Sequence, residues 1–150
     1  MNSIVLLMCG KNKLSQKAKV KDLYTSPRFQ RSIQYAKTIT NYSNIYVLSA
    51  KYGILELEQE IAPYDKSIYD MSITEKDEWA KKVISGLKTK VDIDNSNFIF
   101  LTDDFYSEYL CKYLSHFELP LYGLNQNEHL SWFLKMINKK ESNNGTINST

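Results

Sequence analysis

The chain has 150 residues, of which 43% are hydrophobic and 24% charged. These average values exclude a fibrous or wholly disordered protein, and at this length one domain burying roughly two thirds of its unfolded surface is expected. The net charge of +2 hides an asymmetry: Lys11 to Lys37 carries eight basic residues against the single acid Asp22, while the other 11 basic and 16 acidic residues leave the remainder at −5.

A basic block of this kind (Lys11, Lys13, Lys17, Lys19, Lys21, Arg28, Arg31, Lys37) points to a polyanion partner, with a solvated face as the plainer reading. The longest apolar run, Ile4 to Cys9, falls far short of the roughly 18 residues that span a bilayer. No membrane partner and no export are expected. Cys9 and Cys111 lack CxxC or metal-type spacing and read as thiols of a reducing, cytoplasmic compartment. No metal and no cofactor are expected.

In chain order, Ser3–Met8 reads as a first strand, apolar almost throughout as a strand covered on both faces is. It runs into Cys9-Gly10-Lys11-Asn12-Lys13, where glycine permits close approach of backbone N–H groups to a phosphate and the lysines add charge. The segment lacks the second glycine and the Lys-Ser/Thr of a P-loop, which argues against nucleoside triphosphate hydrolysis. A plain turn with solvated lysines fits it equally well.

Ser26-Pro27 then opens a helix of about Pro27–Thr40, with Phe29, Ile33, Ala36 and Ile39 at helical spacing. A second strand, Asn44–Leu48, ends in Ser49-Ala50-Lys51-Tyr52-Gly53. From there a connection of about 20 residues, including Pro63-Tyr64-Asp65, precedes the next helix, and loops of that length usually bind or cover a ligand. Asp65 can place a carboxylate at the mouth of a pocket with Tyr52 or Tyr64 as a stacking surface, or it can belong to an ordinary turn.

Thr74 with Asp77 resembles a capping box for a second helix, whose stripe Trp79, Val83, Ile84 and Leu87 ends near Thr89. A third strand, Asn97–Leu101, precedes a third helix, Asp104–His116; a fourth strand, Pro120–Gly123, precedes a fourth helix, Gln126–Lys139, with Leu130, Phe133, Leu134 and Ile137 on its inner face. His116 would then sit at a helix C-terminus and His129 early in the last helix, neither at metal-ligand spacing. Residues 1–140 make one domain, and the polar tail Glu141–Thr150 is expected to be disordered. Alternation of strand and helix implies a three-layer α/β/α fold around a small, about four-stranded, mainly parallel sheet. Ligands of such sheets bind beyond the carboxyl ends of the strands.

The ordered set CGKNKL, KDLYTSPRF, VLSAKYGIL, APYD and GLNQNEHLSWF resembles an uncharacterised family of short bacterial and phage proteins, over about residues 4–135. Val47–Asp65 is also similar to the Leu-Ser-Gly-x-Tyr-Gly-Leu and Pro-Tyr stretch of the DNA-binding peroxide-stress protein family. More distantly it resembles the domain accompanying archaeosine-type tRNA transglycosylases, and the group is similar to uracil-DNA glycosylase-like folds. The resemblance implies a nucleic-acid ligand, DNA before RNA, or a nucleotide, and N-glycosidic bond chemistry. The Gly-Gln-Asp-Pro-Tyr and His-Pro-Ser motifs of true uracil-DNA glycosylases are missing, so uracil specificity does not carry over.

The leading expectation is a glycosylase-type enzyme acting on an unusual base. Its oxocarbenium-like transition state calls for a carboxylate, Asp65 first, with Asp103 or Asp104 as the substitute. Lys51 is placed with the catalytic group; Cys9, Gly10, Lys11, Lys13, Tyr24, Ser49, Tyr52, Gly53 and Tyr64 are candidates for substrate binding. A binding module without chemistry is the alternative. A third reading is a small-nucleotide hydrolase or sequestering protein in phage–bacteria conflict.

Overall fold

The computed structural model of the chain describes residues 1–148. Its frame is β1 (Asn2–Met8), in which Ile4–Met8 are all buried. A strand with no polar face needs covering on both sides, which places it at the centre of a sheet. After it come the short strand β2 (Ala18–Lys19), the single turn α1 (Val20–Leu23) and the helix α2 (Pro27–Ile39). Next are β3 (Ile45–Ser49), β4 (Gly53–Glu56), β5 (Glu60–Ile61), the helix α3 (Ile73–Lys88) and β6 (Ser96–Leu101). The chain closes with the short helix α4 (Asp104–Ser107), β7 (Phe117–Glu118) and the helix α5 (Gln126–Asn148).

Five strands form one sheet in the order β4-β3-β1-β6-β7, parallel except for β4, which runs antiparallel to β3. β2 and β5 make a separate two-stranded ribbon. From β1 the chain crosses through α2 to β3 on one side, and from β3 it crosses through α3 to β6 on the other. Right-handed crossovers in opposite directions put α2 and α3 on opposite faces. The strand order therefore reverses between β1 and β6, the position at whose carboxyl edge sheets of this kind bind their ligands.

α2 is capped as its sequence indicates: Ser26 Oγ accepts from Phe29 N–H at 3.2 Å with Pro27 at the first helical position. The capping box of α3 is formed by Ser72 and Glu75 rather than Thr74 and Asp77, one turn boundary earlier. The sheet has five strands rather than four, because Gly53–Glu56 folds back on β3 as a hairpin. Pro120–Gly123 is a turn, with Gly123 at φ 79°, and the outer strand is Phe117–Glu118. The expected helix Asp104–His116 stops at Ser107; three-residue hydrogen bonds Leu110 to Ser107, Tyr113 to Leu110 and Leu114 to Cys111 tighten the chain so that Tyr106, Leu110 and Leu114 are all buried. His116 consequently lies outside any helix, its carbonyl accepting from Phe98 N–H.

In α5 the inner face is His129, Phe133 and Ile137, while Leu134 is exposed. This helix continues past Lys139 through most of the expected tail, with Glu141–Asn143 exposed; Ser149 and Thr150 lie outside the described residues. No helix among the described residues is long and apolar enough to cross a membrane.

Candidate functional site at the carboxyl edge

β1 ends in Cys9, buried, with its N–H bonded to the Leu48 carbonyl of β3 at 3.1 Å and its Sγ 3.3 Å from Tyr106 Oη. Cys9 is therefore the hinge between two groups of side chains, one over β3 and one over β6.

Over β3, Ser49 Oγ accepts the N–H groups of Lys51 (3.3 Å) and Tyr52 (3.2 Å) in the hairpin turn. With both lone pairs engaged, its O–H donates to Tyr64 Oη at 2.7 Å, and Tyr64 in turn donates to Tyr24 Oη at 2.6 Å. Burial pushes the phenols of Tyr24 and Tyr64 well above their ordinary range, so both stay protonated at neutral pH. Lys13 Nζ caps this group, 4.6 Å from the Tyr64 ring centre and 5.7 Å from that of Tyr24, and Tyr52 meets Tyr64 edge-on at 5.4 Å. The Cys9–Lys13 turn and the Ser49–Gly53 turn, with Tyr64 between them, thus converge.

Other expected site residues are placed differently. Lys51 is exposed, with Nζ 5.2 Å from its neighbour's Tyr52 ring and its carbonyl held by Lys82 Nζ at 2.9 Å. Lys11 is exposed; its carbonyl accepts from Lys13 Nζ at 3.3 Å. Asp65 is exposed and has no hydrogen-bond or ion-pair partner among the described residues. Gly10 lies against Ser26 and Tyr24, where a Cβ would meet nothing closer than 3.4 Å, so space does not require glycine there. Gly53 does need its freedom, at φ 80° closing the three-residue hairpin loop.

Over β6, Asp103 is half-buried and caps α4, accepting from Phe105 N–H at 3.1 Å. Its other oxygen accepts from the Tyr69 hydroxyl, and Gln126 Nε2 donates to that hydroxyl at 3.2 Å. Burial, and then Asp103, push the Tyr69 phenol above its ordinary range. Asp103 N–H points at Met8 Sδ of β1, 3.4 Å away, which ties the start of α4 to the end of β1, while Phe105 N–H and the Tyr69 hydroxyl hold the carboxylate. Asp104 is turned to a structural task, accepting from Gly123 N–H at 3.1 Å.

Beneath lies a pair that sequence reasoning counted elsewhere. Arg28 is buried and bonds His129 Nδ1 through Nε (3.2 Å) and Nη2 (2.9 Å), with Nη2 also 3.0 Å from the Leu101 carbonyl. His129 Nε2 contacts the Leu124 carbonyl at 3.1 Å, which can only accept, so Nε2 carries the proton and Nδ1 is the acceptor. Burial lowers the Arg28 guanidinium to about 10, still charged at neutral pH, and burial with the facing Arg28 lowers His129. The available signal was position: Arg28, Ser32 and Tyr35 form a stripe beside Phe29, Ile33 and Ala36, and all six are buried.

The chain is a mainly parallel α/β sheet with polar side chains gathered where its strand order reverses, and sheets of this class take their ligands at the carboxyl edge. The profile of the family of unknown function DUF6884 matches residues 4–135, and the chain belongs to that family. Comparison with curated proteins and with solved structures returns no match.

Proposed function

We propose that this edge binds a nucleotide unit of DNA and hydrolyses its N-glycosidic bond, a glycosylase-type activity on a modified or unusual base. The observation that carries the reading is Asp103, a half-buried carboxylate just beyond β6 where the strand order reverses, held by Phe105 N–H and the Tyr69 hydroxyl. In N-glycosidic cleavage the base departs with the bonding electron pair and the sugar becomes positively charged. A carboxylate held beside C1′ stabilises that charge and orients the water whose oxygen forms the new bond. Asp103 fits this role better than Asp65, which has no partner to hold it. Lys13 and Lys11 would take backbone phosphates, and Tyr52 and Tyr64 offer ring surfaces for a neighbouring base. The resemblance to DNA-binding peroxide-stress proteins and uracil-DNA glycosylase-like folds supports DNA over RNA.

A binding protein without chemistry is favoured by one observation: Tyr24, Tyr64 and Ser49 fill the edge above β1 and β3 with their own hydrogen bonds. The test is incubation with DNAs carrying different base modifications, with released base detected by mass spectrometry. Asp103→Asn keeps the α4 cap and is expected to cut release by about 100-fold or more while leaving DNA binding in place. Release unchanged in that variant removes Asp103 from the chemistry. Binding without release from any DNA leaves the binding protein.

A further inference from the structure

The carboxyl edge carries two exposed surfaces of opposite sign. Beyond β6, Tyr69 (44% exposed) packs against Phe105 (46%) with ring centres 5.0 Å apart. Lys76 Nζ lies 5.0 Å from the Phe105 ring and brings the start of α3 alongside, with Ile73 (71% exposed) one turn earlier on the same helix face. Tyr122, equally exposed, joins them because the next residue, Gly123, donates its N–H to Asp104 at 3.1 Å. Single exposed apolar side chains need no explanation, but four gathered at the end of one strand mark an interaction surface. Asp104 and Glu108, one turn apart, edge this surface, and neither belongs to an ion pair among the described residues. Toward β3 the sign is reversed. Lys11, Lys13 and Lys51 stand in the turns after β1 and β3, also outside any ion pair among the described residues. Beside Lys13, Leu14 is 43% exposed, held in place by its N–H to the Leu23 carbonyl at 2.9 Å.

β1, β3 and β6 run parallel, so both surfaces leave the same edge of the sheet, the lysines toward β3 and the aromatic, acidic surface beyond β6. We propose that this edge is the interface of a symmetric dimer, in which the lysine turns and Leu14 of one copy cover the aromatic and acidic surface of the other. Charge complementarity selects the occupant. A phosphate backbone is drawn to the lysines but repelled by Asp104 and Glu108, so it leaves the apolar surface bare. A second copy turned by a two-fold axis answers both halves at once, with lysines over carboxylates and an apolar side chain over aromatic rings. The contact is then made twice and closes on itself, which gives a dimer and not a filament. The inference goes beyond the proposed function and does not need it. It adds a control, since a dimer that covers Lys11 and Lys13 excludes DNA from the same edge.

The experiment is analytical ultracentrifugation of the full chain across micromolar concentrations at low and high salt. A species of twice the 17.5 kDa monomer is expected, and it should dissociate as salt rises. Lys11→Glu and Glu108→Lys each set like charges across the interface and are expected to weaken the dimer by about tenfold or more. Mixed together, the two variants place acid against lysine at both contacts, so they are expected to pair with each other although neither pairs with itself. Phe105→Ala is expected to weaken the dimer by a similar factor. Should it not fold, Ile73→Ser, at a position with less to bury, takes its place. Added DNA is expected to dissolve the dimer. A chain that stays monomeric, a species larger than a dimer, a dimer indifferent to these variants, no pairing in the mixture, or DNA bound to an intact dimer overturns the inference. Monomeric Glu108→Lys that binds no DNA, beside a dimeric wild type, keeps the inference and overturns the proposed function.

Discussion

At the scale of single residues, the site is governed by which groups keep or lose their protons. The buried phenols of Tyr24 and Tyr64, and the partly exposed phenol of Tyr69 beside Asp103, are held neutral, so they act as hydrogen-bond donors and not as bases. His129 is held neutral as well, because a proton on Nδ1 would displace both Arg28 bonds and place two cations together. Its folded pKa therefore lies below the ordinary 6.5, and the unfolded chain takes up the proton first as pH falls. The stability His129 contributes is complete above pH 6.5 and is lost as pH falls through that value toward the lower folded one. Melting temperatures from pH 8 to 5 should drop below pH 6.5, and His129→Gln, which cannot be protonated, should flatten that drop; an identical profile in the variant would mean another group is responsible. The candidates over β3 were visible in sequence because Ser49, Tyr52 and Tyr64 sit in recognisable turn segments. Arg28 and His129 were not, because each reads as an ordinary polar residue on an amphipathic helix. Only packing α2 against α5 makes a partner of each for the other.

At the scale of elements, the β3–β4 hairpin does most to build the edge. Its three-residue loop Ala50–Tyr52 brings Ser49 opposite Gly53, and the Ser49 hydroxyl accepts the loop's own N–H groups while donating its O–H to Tyr64. Glycine is required at position 53 because φ is 80°, a conformation that costs an L side chain roughly 1–2 kcal/mol. Gly53→Ala should therefore lower stability in urea by about that amount, and Gly53→Asn by less, since asparagine tolerates this region. Equal costs would mean that the neighbouring Lys82 side chain, 3.4 Å from an added Cβ, sets the penalty instead. The hairpin was legible in principle: Gly53 precedes Ile54-Leu55-Glu56, a short run long enough for an edge strand. The length of the connection suggests a loop, but the turn chemistry of Ser49 and Gly53 outweighs it and closes the chain into a hairpin. The β1, β3 and β6 strands were legible because buried parallel strands are apolar throughout, whereas β7 has only two residues, both exposed, and carries no such pattern. The longer helix expected over Asp104–His116 rests on Phe105, Tyr109, Leu110 and Tyr113 sharing a helical face, but of these only Leu110 is buried and Phe105 is exposed, because three-residue turns bury Tyr106, Leu110 and Leu114 instead.

At the scale of the whole molecule, folding redistributes the charge that the sequence concentrates between Lys11 and Lys37. Lys19 and Lys21 both bond Glu58, at 2.7 and 3.0 Å, and these contacts with the Tyr42 hydroxyl lower the Glu58 carboxyl to about 2. Arg28 is buried. The block is thus not one basic face; the part of it that reaches the ligand edge is the turn carrying Lys11 and Lys13. On the other side of the reversal in strand order, Asp103 and Asp104 follow β6, so the edge is positive over β3 and negative over β6. A nucleic-acid strand should lie with its phosphates on the β3 side and present a base toward β6. Counterion release makes this measurable, because each phosphate contact to duplex DNA contributes about 0.9 to the slope of log affinity against log salt. Lys13→Gln and Lys11→Gln should each weaken DNA binding and flatten that slope by nearly this amount, whereas Lys19→Gln and Lys21→Gln, whose charges are already balanced by Glu58, should leave it close to wild type. Binding isotherms for the four variants at several salt concentrations make the comparison. Equal flattening in all four would show that DNA feels only the net charge of the block, and an unchanged slope in the Lys13 and Lys11 variants would move the phosphate path off this edge.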